Sequence, residues 1–124
     1  MRILNLTQHK ATAEQAEAGV MEPGDAAKKE IQNQLTFDTI PDRGAIEEAA
    51  KSIALLAVVL DIGAETAMIG GAPYLMSALE SALKDVGIKA IYAFSKREST
   101  EVDDGDGGVR KVAVFRHMGF VESS

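Results

Sequence analysis

The chain carries two histidines, His9 and His117. Imidazole is the side chain that changes charge near neutral pH without perturbation, so these two are the first candidates for proton transfer. Groups suited to an anion accompany them. Lys96, Arg97 and Arg116 are cations, and Thr7, Gln8 and Ser95 are hydrogen-bonding side chains. Gly70-Gly71 stands just before Pro73, which favours the first turn of a helix. A glycine turn there offers backbone N–H groups and the positive end of the helix dipole. Guanidinium, ammonium and N–H donors together suit phosphate oxygens, and an imidazole beside them can move a proton. The chemistry these residue types fit is acid–base work on a phosphodiester. The chain has no cysteine, which excludes thiolate nucleophiles, thiolate zinc sites and disulfides.

Each of these residues also has a plainer reading. Gly70-Gly71 is what a tight strand-to-helix turn requires, and it forms neither a Walker loop nor a G-x-G-x-x-G fingerprint. A loop histidine such as His9 often only caps or solvates. Lys96-Arg97 and Arg110-Lys111 can guard a solvated hairpin edge. Arg116-His117 can pair with carboxylates near the C-terminus. Asp103, Asp104 and Asp106 resemble part of a calcium loop but lack the Glu it needs, so no metal site is assigned. Met68, Met76 and Met118 read as core filler.

The elements that must position these groups follow from the apolar spacing. Ile3 to Leu6 reads as a short buried strand, and Thr7-Gln8-His9-Lys10 leaves it as a polar loop. Thr12 and Gln15 form a capping box opening a short helix that Gly19 ends. Pro23-Gly24-Asp25 turns into a helix reaching about Leu35, and Leu35 to Phe37 can be briefly extended. Asp42 caps a helix whose apolar positions from Ile46 to Leu60 repeat at 3.6-residue spacing, with Gly63 ending it. Ala67 to Ile69 is a second strand. Pro73 opens a helix with Leu75, Met76, Leu79, Leu83 and Val86 on one stripe, and Gly87 closes it. Ile88 to Phe94 is a third strand. Ser95 to Val102 is polar and extended, and Asp103 to Gly108 is an acidic, glycine-rich turn. Val109 to Arg116 returns as a strand with Val112 and Val114 on one face and Ala113 and Phe115 on the other. Met118 to Val121 closes the chain.

Three apolar strands separated by helices, followed by a hairpin, predict a single α/β domain. It is a small three-layer domain, with a short parallel sheet and a C-terminal antiparallel hairpin. Such sheets bind ligands beyond the carboxyl ends of their strands. The loops leaving those ends are Thr7 to Lys10, Gly70-Gly71 and Ser95 to Arg97. If the hairpin turn centres near Asp106, Lys96 faces Arg116 and Ser95 faces His117. The basic and imidazole groups are then expected on one rim.

Composition narrows the partners. The chain has 124 residues and a formal net charge of −6, which opposes nonspecific binding to duplex nucleic acid but leaves room for a small anion in a local basic pocket. The longest apolar run, Ile53 to Leu60, is eight residues, far below the roughly 20 that span a bilayer, so no membrane partner is expected. Without cysteines or a signal-peptide pattern, the expected setting is the cytoplasm. Trp is absent, so base stacking falls to Tyr74, Phe94 or Phe120.

At these residues the sequence resembles small CRISPR-associated accessory proteins of type III systems, including their prophage and plasmid homologues. Leu4-Asn5-Leu6-Thr7-Gln8-His9 followed by Ala11-Thr12-Ala13-Glu14-Gln15 is similar to their opening. Ile69-Gly70-Gly71-Ala72-Pro73-Tyr74-Leu75-Met76 looks like their glycine turn and helix. Tyr92-Ala93-Phe94-Ser95-Lys96-Arg97 looks like their third-strand exit, and Val112 to Phe120 like their closing strand. The region between residues 20 and 60 differs. The resemblance implies a Rossmann-like fold, a symmetric homodimer and binding of cyclic oligoadenylate, such as cyclic tetra-adenylate, across the two-fold. Some relatives cleave the ring as ring nucleases and others only sequester it. On that reading no cofactor or metal is needed. His9 is the candidate acid or base, with His117 second. Lys96, Arg97 and Arg116 hold phosphates, Gly70 and Gly71 give N–H donors, and Thr7, Gln8 and Ser95 orient the ring. Alternatives are a non-catalytic binding protein and an interaction protein of a mobile element.

Overall fold

The computed structural model describes residues 2–60 and 63–123. In chain order the elements are β1 (Ile3–Asn5), α1 (Ala13–Glu17), β2 (Val20–Met21), α2 (Asp25–Leu35), α3 (Arg43–Leu60), β3 (Thr66–Ile69), α4 (Pro73–Asp85), β4 (Lys89–Asp103) and β5 (Val109–Glu122). The fold is mixed α/β. One sheet runs β2-β1-β3-β4-β5, parallel throughout except for the antiparallel pair β4–β5.

Local chemistry explains most boundaries. The Thr12 side chain accepts from the Gln15 N–H at 3.1 Å while Gln15 Oε1 accepts from the Thr12 N–H at 3.0 Å, which completes the expected capping box. Asp42 Oδ1 accepts from the Ala45 N–H at 2.7 Å before α3. Pro73 occupies the first turn of α4. Helix α3 ends at Leu60, and residues 61 and 62, between it and Gly63, lie outside the described residues. Two details differ from the sequence expectation. Leu35 to Phe37 is not a strand: Leu35 ends α2, Thr36 follows with an extended backbone, and the Phe37 ring packs on Tyr74 with centroids 6.1 Å apart. Strand β2 was not anticipated, because two residues carry no periodicity to read.

The larger core lies between one sheet face and α2, α3 and α4. Leu4, Leu6, Ala67, Ile69 and Ala90 face Ile31 of α2, Ile53 of α3 and Leu75, Leu79 and Leu83 of α4. The α4 positions repeat at i, i+4 and i+8, and Ile46, Ala49, Ala50, Ile53 and Ala57 of α3 repeat at three and four residues, as the sequence shows. The other face holds a smaller cluster of Ile3, Val20, Met68 and Ile91, with Ala11 and Phe120 against it. Helix α1 buries no residue. Met68 and Met76 are core residues as expected, but Met118 is 54% exposed. It sits at a β-bulge, where Phe94 pairs with Gly119 and Ser95 with His117 and Met118 has no partner across the ladder, at the start of the arm, where the sheet has only two strands. No described helix is long and apolar enough to cross a membrane.

Strands β4 and β5 outrun the sheet. The last β3–β4 pair is Ile69 with Tyr92, whereas β4 and β5 stay paired out to Asp103 and Val109. Beyond Tyr92 the sheet is a two-stranded arm that projects past the rim. Its register puts Lys96 opposite Arg116 and Ser95 opposite His117, as the symmetric turn predicts.

Candidate functional site

Because β1, β3 and β4 are parallel, their carboxyl ends meet at one edge of the domain. A pocket of about 390 Å³ opens there. Thr7, Gln8, His9 and Lys10 line it from the β1 exit, Gly70 and Gly71 from the β3 exit, and Tyr92 and Ala93 from β4, with Thr12 and Gln15 of the capping box completing it. Five residues selected from the sequence, Thr7, Gln8, His9, Gly70 and Gly71, therefore share one cavity.

Gly71 is held at φ +153°, and a Cβ built there would stand 3.3 Å from Met76 Cε. The backbone conformation calls for glycine at this turn, while the Met76 methyl is the flexible end of its side chain. Ala72 caps α4 without a side-chain hydrogen bond, so the turn meets the helix start with backbone alone.

The loop from Thr7 to His9 is tied down from below by residues the sequence reading did not select. Asn5 is fully buried. Its Nδ2 donates to the His9 carbonyl at 2.8 Å and to Glu22 Oε2 at 2.9 Å. Its Oδ1 accepts from the Thr7 N–H at 2.9 Å and the Thr7 hydroxyl at 2.7 Å. Lys28 Nζ donates to the carbonyls of Thr7 and His9, both at 2.8 Å, and lies 3.4 Å from Glu22 Oε1. Gln32 Nε2 donates to the Gln8 carbonyl at 3.1 Å. The three loop carbonyls are thus all engaged from the α2 side. The Thr7 hydroxyl, expected to orient a ligand, instead fixes the loop. One signal for this was present: Asn5 is the single polar residue in an otherwise apolar strand, and a buried amide must find partners. Glu22 and Lys28 meet it only through the tertiary fold.

Burial would raise the pKa of Glu22, but hydrogen bonds from Asn5 and the Ala11 N–H, together with the Lys28 charge, lower it below the ordinary 4.5. The folded state therefore favours the carboxylate. The stabilisation is present above pH 4.5 and is lost as pH falls through the folded-state value. Glu22→Gln is expected to flatten the acid side of the stability–pH profile below about pH 4.5. Melting temperatures measured from pH 3 to 7 check this, and an unchanged acid limb would contradict it. Nearby on β4, the Tyr92 hydroxyl donates to Glu80 Oε2 at 2.7 Å, and burial and that carboxylate push its pKa up.

The other five selected residues, Ser95, Lys96, Arg97, Arg116 and His117, do not line the pocket. They lie at the root of the arm. Ser95 and His117 are paired on the face that carries Ala93 and Phe120. The His117 ring meets Phe120 edge-on at 4.9 Å, and its Nδ1 is buried with no hydrogen-bond partner among the described residues. Strand alternation sends Lys96 and Arg116 to the opposite face. There Arg116 lies 3.8 Å from Glu98 rather than beside the C-terminal carboxylates. The convergence expected on one rim is therefore divided, because β4 and β5 continue past the rim instead of turning there. Of the aromatic candidates, Phe94 is 53% exposed on the arm and Tyr74 is engaged with Phe37.

Within one protomer the pocket offers one imidazole, one ammonium from Lys10, the Gln8 amide and the glycine turn. That set can hold an anion and move a proton. Among the described residues no group of three or more His, Cys, Asp and Glu side chains is placed to hold a metal ion. No curated protein and no solved structure matches the chain. From residue 1 to residue 121 the sequence matches the uncharacterized protein MJ1673 family, and the chain belongs to that family.

Proposed function

We propose that the pocket at the strand ends binds cyclic oligoadenylate and that the protein is a metal-independent ring nuclease that switches off type III CRISPR signalling. The observation that carries this reading is the meeting of His9, Gln8 and Lys10 with Gly70-Gly71 in one cavity beyond parallel strands. The sequence resemblance supplies the ligand class. In the reaction a ribose 2′-hydroxyl attacks the adjacent phosphorus. The 2′-O–P bond forms as the P–O5′ bond breaks, the 2′ proton passes to a base and the leaving 5′ oxygen gains a proton. Products are linear oligoadenylates with 2′,3′-cyclic phosphate ends. Positioning, charge stabilisation and one acid–base group suffice for this chemistry. His9 is that group, Lys10 and the glycine turn hold phosphate, and Gln8 orients the ring.

A symmetric homodimer is the ligand-binding unit in this reading. A two-fold ligand matches two copies of one pocket. The setting is the cytoplasm, which fits a chain without cysteine. A second reading is sequestration without cleavage. It is favoured by the position of Lys96, Arg97 and Arg116 on the arm, which leaves the pocket of a single protomer with few cations to stabilise developing charge.

Binding is tested by the melting shift with cyclic tri-, tetra- and hexa-adenylate. A rise with one ring size is expected, and it should shrink strongly from about 0.05 to 0.2 M salt because phosphate neutralisation is screened. No shift with any ring contradicts both readings and favours an interaction protein without a nucleotide ligand. A salt-independent shift points to base stacking instead.

A further inference from the structure

One face of the β4–β5 arm continues from the pocket and carries groups that the pocket lacks. Ala93 lines the pocket, and its partner across the ladder, Phe120, packs with Ala11 on the smaller core cluster. Ala11 stands between Lys10 and Thr12, which also line the pocket. Alternation then places Ser95 with His117, and next Arg97 with Phe115, on this same face. At the rise of an antiparallel strand, Ser95 stands about 7 Å and Arg97 about 14 Å beyond Ala93.

These groups are not used up within the chain. Phe115 is 74% exposed. Arg97 makes no ion pair among the described residues. His117 is half-buried, and its buried Nδ1 has no hydrogen-bond partner among them either. A buried polar atom of that kind calls for a partner. An exposed aromatic ring beside a guanidinium on a strand surface is the arrangement on which proteins stack a nucleobase and hold its phosphate.

We infer that this face is a second nucleotide subsite, continuous with the pocket, which takes the nucleotide next to the one the pocket holds. Phe115 stacks its base. Arg97 and the Ser95 hydroxyl donate to its phosphate oxygens. A turn of the His117 ring about its Cβ–Cγ bond brings Nδ1 out to the same phosphate. The charges farther along set the length of the subsite. Glu101 and Lys111 face each other and cancel, and beyond them Asp103 faces the uncharged Val109. The strip that favours an anion therefore ends at Arg97 and Phe115, which is room for one nucleotide. The inference rests on the adenylate ligand of the proposed function and says where its next unit lies.

The test compares adenosine monophosphate, linear 5′-phosphorylated diadenylate and cyclic tetra-adenylate. The wild type is expected to bind the diadenylate about tenfold more tightly than the monophosphate, through one added stacking contact and one added phosphate. Phe115→Ala and Arg97→Ala are each expected to lose about tenfold with the diadenylate and with the ring, and to leave the monophosphate unchanged. Val114→Ala, on the opposite face of the arm, is expected to change none of the three and so controls for the fold of the ribbon. A second readout is independent of substitution. The chain has two histidines, so each imidazole gives its own proton resonance. The diadenylate is expected to move both, and the monophosphate to move His9 alone. Wild-type affinity of both arm variants for the ring, or a His117 resonance that stays still while His9 moves with the diadenylate, overturns the subsite and leaves the pocket reading standing. A wild type that binds neither the ring nor the diadenylate overturns the pocket reading, and the subsite falls with it.

Discussion

His9→Ala is expected to slow single-turnover cleavage of the bound ring by about 10²–10⁴-fold, the range for removing a positioned general acid or base. Its effect on affinity is expected to be small. The His9 side chain is exposed at the pocket wall, and no hydrogen bond to it holds the loop. The loop is fixed instead through its carbonyls, by Asn5, Lys28 and Gln32, so removing the imidazole leaves the cavity in shape. Lys10→Ala should show the reverse pattern, with weaker binding and a smaller change in the chemical step. The dissociation constant and the single-turnover rate of the two variants, measured side by side, separate these roles. Wild-type cleavage by His9→Ala would move the acid–base role away from the β1 loop, with His117 the remaining imidazole.

Asn5→Ala is expected to lower stability by about 2–4 kcal/mol, because its amide satisfies several partners at once. Truncation leaves the Thr7 N–H without its acceptor, leaves the Thr7 hydroxyl only the His9 carbonyl, and takes a donor from Glu22 and from the His9 carbonyl at a part-buried site. Urea unfolding followed by circular dichroism measures the change. The same variant should also weaken ligand binding, since the Thr7–His9 loop loses its central anchor. A loss below about 0.5 kcal/mol would mean that Lys28 and Gln32 hold the loop without it.

The fold was legible where periodicity is long or a cap is specific. Leu75, Leu79 and Leu83 announce the buried stripe of α4, and Thr12 with Gln15 announces the start of α1. The hairpin register was legible too, because an acidic glycine turn between two strands of similar length leaves little freedom in pairing. The site was half legible. A polar loop after one parallel strand and a glycine turn after the next must meet at the same rim, which brought His9 and Gly70-Gly71 together. The arm residues stand outside the pocket of their own protomer for a physical reason: alternation and the Phe94/Ser95 bulge decide which face each residue takes, and the length of β4 and β5 carries them beyond the rim. Glu22 and Lys28 could not be found from spacing, since Glu22 reaches Asn5, and Lys28 the Thr7 and His9 carbonyls, only because β2 and α2 fold back beneath the β1 exit.

The central claim concerns what happens to a bound ring. Labelled cyclic tetra-adenylate incubated with excess protein, with and without EDTA, and resolved by chromatography tests it most directly. Conversion to linear oligoadenylates, first with 2′,3′-cyclic phosphate ends, is expected at the same rate in both reactions. Ring returned intact under conditions where the melting shift shows it bound would contradict cleavage and leave sequestration; conversion abolished by EDTA and restored by a divalent ion would contradict the metal-independent mechanism.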